Sequence, residues 1–481
     1  MFLLAIILFI ALELFLVYRL FQHNANAFFV FHLLFFIILV PGTEFLKCLF
    51  GGRRVEDFGV FLIVNILLLI YIVIFMILYR LIAKLFPTNE YLINRILEFY
   101  KKNRAKIAII LSFYVLWKIY LLGIYGVSSF KLLSITAITK VPFYIVFCDT
   151  LLGSIALGTL ILCLFYVVLD PKIKRFDPKI MVPAFLCLFT FCVFTQFGGS
   201  RRFIASILLL ATVLYASRRF REVGKLRLLL NAKRPIFSLK LAILLLVSFS
   251  AFLVAGGYVK GINSNLYSPY YLQLLEQSRT LGERISVLKQ IITDVHPFSL
   301  ERNIKERDNV FEVICFITSE QISNFKTTFP GITSNVLKAT IPRILWPSKP
   351  VFNNDELIVT NFPVPVYYNI YSVDIASSII GDMQAEFWFF AYLLAPFLYI
   401  VLSFIYLKIL LKSYNNFVIS LASISALYSL LYRIEEDITA LFIDLRNFMV
   451  LFLCGLIIYI ANKVLKGSIK TYAHPSRYTN L

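Results

Sequence analysis

The chain has 481 residues, 60% of them hydrophobic, 16% aromatic and 15% charged, with a mean hydropathy of +0.82. This balance excludes a soluble globular protein, and repeated apolar runs of about 20 residues exceed what a barrel strand needs, so an all-α polytopic membrane protein is expected. The net charge of +20 does not point to nucleic acid, because most of the excess lies in short loops between apolar runs, as the orientation rule for membrane helices expects.

In chain order the apolar runs predict about 11 transmembrane helices. They cover roughly Phe2–Tyr18, Phe28–Val40 (extending to Phe50), Phe58–Tyr79, Ile107–Tyr125, Phe143–Leu169, Met181–Phe197, Phe203–Ala216, Leu241–Ala255, Phe387–Leu411, Phe417–Leu431 and Thr439–Ile460. Met1–Leu20 lacks a basic start and a small-residue cleavage site, so it reads as a first span. Arg80, Lys84, Arg95, Lys101, Lys102 and Arg104 mark one inside loop, and Lys463, Lys466 and Lys470 place the C-terminus inside. Arg53 and Arg54 fall on the disfavoured side of this arrangement. Leu92–Arg104, with Ile93, Ile96, Leu97 and Tyr100 at helical spacing, is expected along the inner membrane surface or as a solvated linker helix. Val127–Lys140, small and hydroxyl-rich, reads as an outside or re-entrant loop.

The chain thus divides into an N-terminal bundle (1–257), a large outside loop that is partly helical (258–384), and C-terminal helices with a tail (385–481). Within the bundle, Gly198-Gly199-Ser200-Arg201-Arg202 forms a polar knot between two runs whose outer flanks are basic. Both flanks belong inside, so the knot belongs outside, where arginine is disfavoured unless something negative holds it. Plain interface anchoring is the competing reading of the pair.

In the loop, Pro269–Asp294 carries Leu272, Leu275, Leu281, Ile285, Leu288 and Ile292 at helical spacing. Further on, Phe352–Tyr371 gathers Phe352, Phe362, Tyr367, Tyr368 and Tyr371 among prolines. Such a stretch suits a lid whose rings cover sugar faces, and equally an aromatic belt at the membrane interface. Cys315 stands alone in the loop, so no disulfide can close within it. His23, His32, His296 and His474 are scattered and no CxxC or HExxH occurs, so neither a metal site nor a cofactor is expected.

The string Ile341-Pro342-Arg343-Ile344-Leu345-Trp346-Pro347-Ser348-Lys349-Pro350 resembles the Pro-Arg/Trp-Pro/Lys-Pro signature of the Wzy-type O-antigen polymerases, bacterial enzymes that join oligosaccharide repeat units. Ser377–Glu386 is similar to that family's segment leading into the next span. Ala385-Glu386-Phe387 fits its pattern, while Trp388 and Ala391 stand where the family has Asn and Gly. The Arg201-Arg202 knot is similar to its Gly/Ser-Arg turn. The resemblance implies a fold of the integral-membrane glycosyltransferase (GT-C-like) type in the bacterial inner membrane, active at the periplasmic face. It also implies an undecaprenyl-diphosphate-linked oligosaccharide substrate, an inverting transfer and a Wzz-type chain-length regulator as partner.

Transfer of a glycan from such a carrier leaves a lipid diphosphate, and fixed cations aimed at it lower the barrier. Arg201, Arg202, Arg343 and Lys349 are the candidates, with arginine favoured because it stays charged and grips phosphate oxygens in pairs. They take the part that a divalent metal plays in other transferases. The attacking hydroxyl needs a base, for which Glu386 and Asp382 stand first and Asp374 third. Arg343 joins them as a catalytic candidate, and Trp346, Tyr367, Tyr368 and Arg446 are candidate substrate contacts. The plainer readings are that Lys349 snorkels beside Trp346, that Glu386 caps a helix locally, and that Arg433 with Glu435, Glu436 and Asp437 forms a solvated turn. Arg446 and Asp444 are two apart on a helix and do not share a face, so each is expected to pair elsewhere. An O-antigen ligase and a flippase for lipid-linked sugar are the competing functions. A flippase is disfavoured by the lack of internal repeats and by charges gathered at one face.

Overall fold

A computed structural model describes residues 1–22, 26–50, 55–86, 89–125, 142–169, 178–194, parts of 206–214, 269–278, 280–294, 310–341, 345–346, 348–350, 354–364, 367–369, 372–374, 378–413, 415–432, 434 and 437–472. Among these the chain is helical except for one short antiparallel hairpin. The protein is an all-α membrane protein. Six segments of the described residues are long and apolar enough to cross a bilayer: Phe2–Gln22, Ala27–Phe50, Phe58–Leu85, Tyr144–Tyr166, Ile379–Lys412 and Ile438–Ala461. Helices suit this environment because they satisfy every backbone polar group internally. The expected spans Ile107–Tyr125 and Met181–Phe197 fall on helices outside those six, the second only as far as Phe194, and Leu241–Ala255 and half of Phe203–Ala216 lie outside the described residues.

The first four helices are α1 (Phe2–Gln22), α2 (Ala27–Leu39), α3 (Pro41–Phe50) and α4 (Phe58–Ile82). Proline at the first position of α3 starts a new helix where its missing N–H costs nothing, which breaks the second apolar run in two. On α1, Leu4, Leu8 and Phe15 face outward, as lipid contact requires. Then follow α5 (Asn89–Tyr125), α6 (Phe143–Leu169) and α7 (Pro178–Phe194). The expected surface helix Leu92–Arg104 is the first half of α5, joined to the second half across a kink at Asn103. Its apolar edge is covered by protein rather than lipid: Leu92, Ile96, Phe99 and Tyr100 are buried, and Tyr100 stacks on Tyr166 at 3.9 Å.

The last bundle helices are α14 (Ala391–Lys412), α15 (Phe417–Tyr432) and α16 (Ile438–Tyr472). α15 runs through the middle, packed by α2, α6, α14 and α16, and every residue from Ile419 to Tyr432 is buried. Its Ser and Ala residues let neighbouring backbones approach closely. The tightest approach is to Gly158 of α6, where a Cβ would stand 2.2 Å from the Leu421 carbonyl oxygen. Beside α15, His32 bridges α2 to α4 and α15. The Leu431 carbonyl can only accept, so Nδ1–H donates to it at 3.2 Å, and Nε2 accepts from the Tyr71 hydroxyl at 2.8 Å.

The large loop folds into short helices: α8 (Pro269–Gln277), α9 (Leu281–Thr293), α10 (Val310–Asn324), α11 (Gly331–Thr340), α12 (Asn354–Asn361) and α13 (Ile379–Phe387). The helical spacing expected over 269–294 is present but divided, because Thr280 and Glu283 form a reciprocal capping box that begins α9. A hairpin, β1 (Tyr367–Asn369) and β2 (Ser372–Asp374), interrupts the layer. α10 to α13 pack on one another and on α3, α4, α14 and α16, which fixes this layer to the bundle.

Candidate functional site

α13 organises the outer layer. The Ser378 hydroxyl caps it, accepting from the Gly381 N–H at 2.9 Å, and it ends at Trp388, whose positive φ of 58° stops the helix. All residues from Ile379 to Glu386 are buried, so each polar side chain on it needs a partner. Asp382, Gln384 and Glu386 follow at alternate positions. With about 100° between successive residues, Asp382 and Glu386 share a face and Gln384 points the other way.

Glu386 holds the start of α11. Its Oε2 accepts from the Thr328 hydroxyl at 3.0 Å and the Ile332 N–H at 3.1 Å, and Oε1 accepts from the Thr333 N–H at 3.0 Å. A carboxylate there meets both the unsatisfied donors and the positive end of the helix. Lys349 holds the other end of α11, its ammonium donating to the carbonyls of Ala339 at 2.6 Å and Ile341 at 2.8 Å. Ten residues at the helical rise span about 15 Å, so these two groups do not converge on one reacting atom.

Gln384 holds α10. Its amide donates to the Thr318 hydroxyl at 2.7 Å and to Gln321 Oε1 at 3.2 Å, and its Oε1 accepts from the Tyr392 hydroxyl of α14 at 2.7 Å. Gln321 returns a bond to the Gln384 carbonyl at 2.7 Å. The Cys315 thiol of α10 is pushed well up by burial and then by nearby Glu44, Glu312 and Asp57, so it stays protonated and unreactive.

Asp382 meets the start of α16. Its Oδ2 accepts from the Ile438 N–H at 2.9 Å and, at 3.4 Å, from the Asn354 amide, which also donates to Thr439 at 2.9 Å. Its Oδ1 is buried without a hydrogen-bond partner among the described residues. Asp437 and Asp355 lie close enough to repel its charge. Of the two carboxylates on α13, this is the one with an oxygen open to accept a proton. Among the described residues no three His, Cys, Asp or Glu side chains are grouped to hold a metal ion.

Arg201, Arg202 and Arg343 lie outside the described residues, as do Arg433, Glu435 and Glu436. Trp346 is half-buried just beyond α11. Tyr367 and Tyr368 lie on β1, opposite Asp374 and Val373. Phe362, expected in the aromatic lid, is part of the core instead, because α12 folds directly before it. Arg446 of α16 donates through Nε and Nη2 to its neighbour Asn447, at 3.3 and 3.0 Å. Asp437 caps α16, accepting from the Ala440 N–H at 2.5 Å.

Two buried ion pairs were not anticipated. Lys118 of α5 donates to Asp149 of α6 at 2.7 Å, and the Trp117 indole donates to the other carboxylate oxygen at 3.0 Å. Lys47 of α3 pairs with Glu312 of α10, tying the outer layer to an early span. The signal for both was present as charges inside or beside apolar runs, which are costly and therefore paired. No protein-family model matches the chain, and neither does any curated protein or solved structure.

Proposed function

We propose that the chain is a membrane glycosyltransferase that polymerises undecaprenyl-diphosphate-linked oligosaccharide repeat units at the periplasmic face of a bacterial inner membrane. Asp382 carries the reading: a buried carboxylate with one open oxygen, at the foot of a helix that enters the membrane. It lies in the stretch similar to the polymerases' segment before a span, and the string similar to their Pro-Arg/Trp-Pro/Lys-Pro signature precedes it in the sequence. In its ionised form Asp382 takes the proton of the acceptor sugar hydroxyl, that oxygen attacks the anomeric carbon, and the bond to the lipid diphosphate breaks with inversion. Arg201, Arg202 and Arg343 neutralise the leaving diphosphate. Glu386 and Lys349 act as positioning residues that hold α11 from its two ends. Because Asp382 is buried, the hydroxyl reaches it when α12 and the start of α16 part.

The test is chain length of polymer made by cells or vesicles carrying Asp382→Asn. Asparagine keeps the acceptor for the Ile438 N–H but is no base, so single units should persist while the ladder of longer chains is lost, about a 100-fold fall in transfer. A normal ladder at equal protein level rejects Asp382 as the base. Loss of translocated units, rather than of chain length, moves the protein to the flippases.

A further inference from the structure

Five aromatic side chains gather where the outer layer meets the first turn of α14: Phe325 and Phe329 from the chain between α10 and α11, and Trp388, Phe389 and Phe390 from the link between α13 and α14. Phe325 stacks on Trp388 at 5.6 Å, Phe329 stands 6.4 Å from the Phe387 ring, and Trp388 meets Phe389 edge-on at 6.1 Å. The group is not a core, because Phe325 is 74% exposed, Phe390 71% and Phe329 62%. Phe325 and Trp388 are also the two non-glycine residues with positive φ among the described residues, a backbone that bulky side chains rarely adopt. Thus both halves of the stacked pair stand on unusual backbone, with Phe325 exposed and Trp388 half-buried, and Glu386, through Thr328 and the start of α11, holds the turn between Phe325 and Phe329 in place.

Exposed apolar side chains follow on the next turns of the chain. Leu393, Leu394 and Phe397 on the next turns of α14 are exposed in the same way, and that helix is apolar enough to cross a bilayer. Aromatic rings at the end of a span sit at headgroup level, where an apolar body and a polar edge both find their medium. Phe325 and Phe329 belong to no span, yet Phe325 stacks on the link that leads into one. We infer that the 325–329 turn is a membrane wedge, inserted with Trp388–Phe390 into the interfacial region of the lipid leaflet beside α14. The occupant of this surface is the bilayer, and the inference holds whatever reaction the protein carries out.

Trp388 is its own reporter, as one of three tryptophans with Trp117 and Trp346. The full chain and its Trp388→Phe variant are reconstituted in phosphatidylcholine vesicles with bromine on shallow or deep acyl carbons. The difference between the two emission spectra isolates Trp388. It should be blue-shifted, lose most of its intensity to shallow bromine, and resist aqueous iodide. Phe329→Trp in the otherwise natural chain is the second reporter and should add emission quenched in the same order. Emission open to iodide and indifferent to bromine would overturn the wedge. So would emission shielded from both quenchers, since another protein surface would then cover the patch.

Discussion

α13 and α15 are both helices wrapped on every side, yet different forces fix them. Two serine hydroxyls of α15 turn back on the chain around them: Ser423 donates to the Ile419 carbonyl at 2.8 Å and Ser420 to the Ser413 carbonyl at 3.0 Å. Apart from the His32 bond to the Leu431 carbonyl and the Tyr428–Ser206 hydroxyl pair, α15 is located by shape, through small residues and close backbones. On α13 the side chains of Asp382, Gln384 and Glu386 bond to α16, α10 and α11 and their flanking turns. There position comes from hydrogen bonds, and an unmade bond in such a place is expensive. The bundle should therefore tolerate hydrophobic exchange that keeps volume, whereas truncating any of the three polar residues of α13 should be costly.

The largest effect should come from the polar side. Glu386→Ala removes one acceptor group and orphans three donors, two of them backbone N–H groups at the start of α11. At about 1–3 kcal/mol for each buried donor left unsatisfied, the loss of stability should be about 4 kcal/mol. Thermal unfolding in detergent measures it, and chymotrypsin should cut earlier after Phe325, which this turn presents. Gly158→Ala tests the other side. The added methyl meets the Leu421 carbonyl oxygen at 2.2 Å, so α6 and α15 must move apart, at a cost of about 2–3 kcal/mol. If Gly158→Ala proves the more damaging of the two, the polar layer is less decisive than its bonds suggest.

The same contrast explains what could be read from residues alone. Apolar runs announce bundle helices, and Phe2–Gln22, Phe58–Ile82 and Phe143–Leu169 begin or end within a few residues of the expected limits. Spacing also marked the α8–α9 stretch, although not its division at the Thr280 capping box. The surface position of Leu92–Arg104 could not be told from a protein-covered one, because an amphipathic face looks alike whether lipid or Phe417 and Tyr166 cover it. In the outer layer, Asp382 and Glu386 stood out as carboxylates beside a span. Their division of labour depends on Ile438, Thr328 and Thr333, between roughly 50 and 60 residues away in sequence. Lys349, a candidate for the diphosphate or for snorkelling beside Trp346, donates to two carbonyls at the end of α11. Residue type named the candidates, and only the partner atoms separated an open carboxylate oxygen from an occupied one.

The smallest effect belongs to the rim of the polar layer. Glu320, on the last full turn of α10, accepts from Lys326 at 2.8 Å and from the Asn324 amide at 2.8 Å, closing the turn that carries Phe325. The Lys326 hydrogen bond, then that of Asn324, holds the Glu320 carboxyl below its ordinary value of 4.5. A carboxyl whose folded-state pKa is depressed binds its proton more readily when unfolded. Its contribution is therefore complete above pH 4.5 and is lost as the pH falls from there through the lower folded value. Being half in water, the pair should contribute no more than about 0.5 kcal/mol. Amide exchange across residues 320–326 should rise relative to α15 on acidification below that point. In Glu320→Gln the same segment should exchange faster at neutral pH and show no such acid step. A step that survives in Glu320→Gln would assign the acid sensitivity of this turn to another carboxylate.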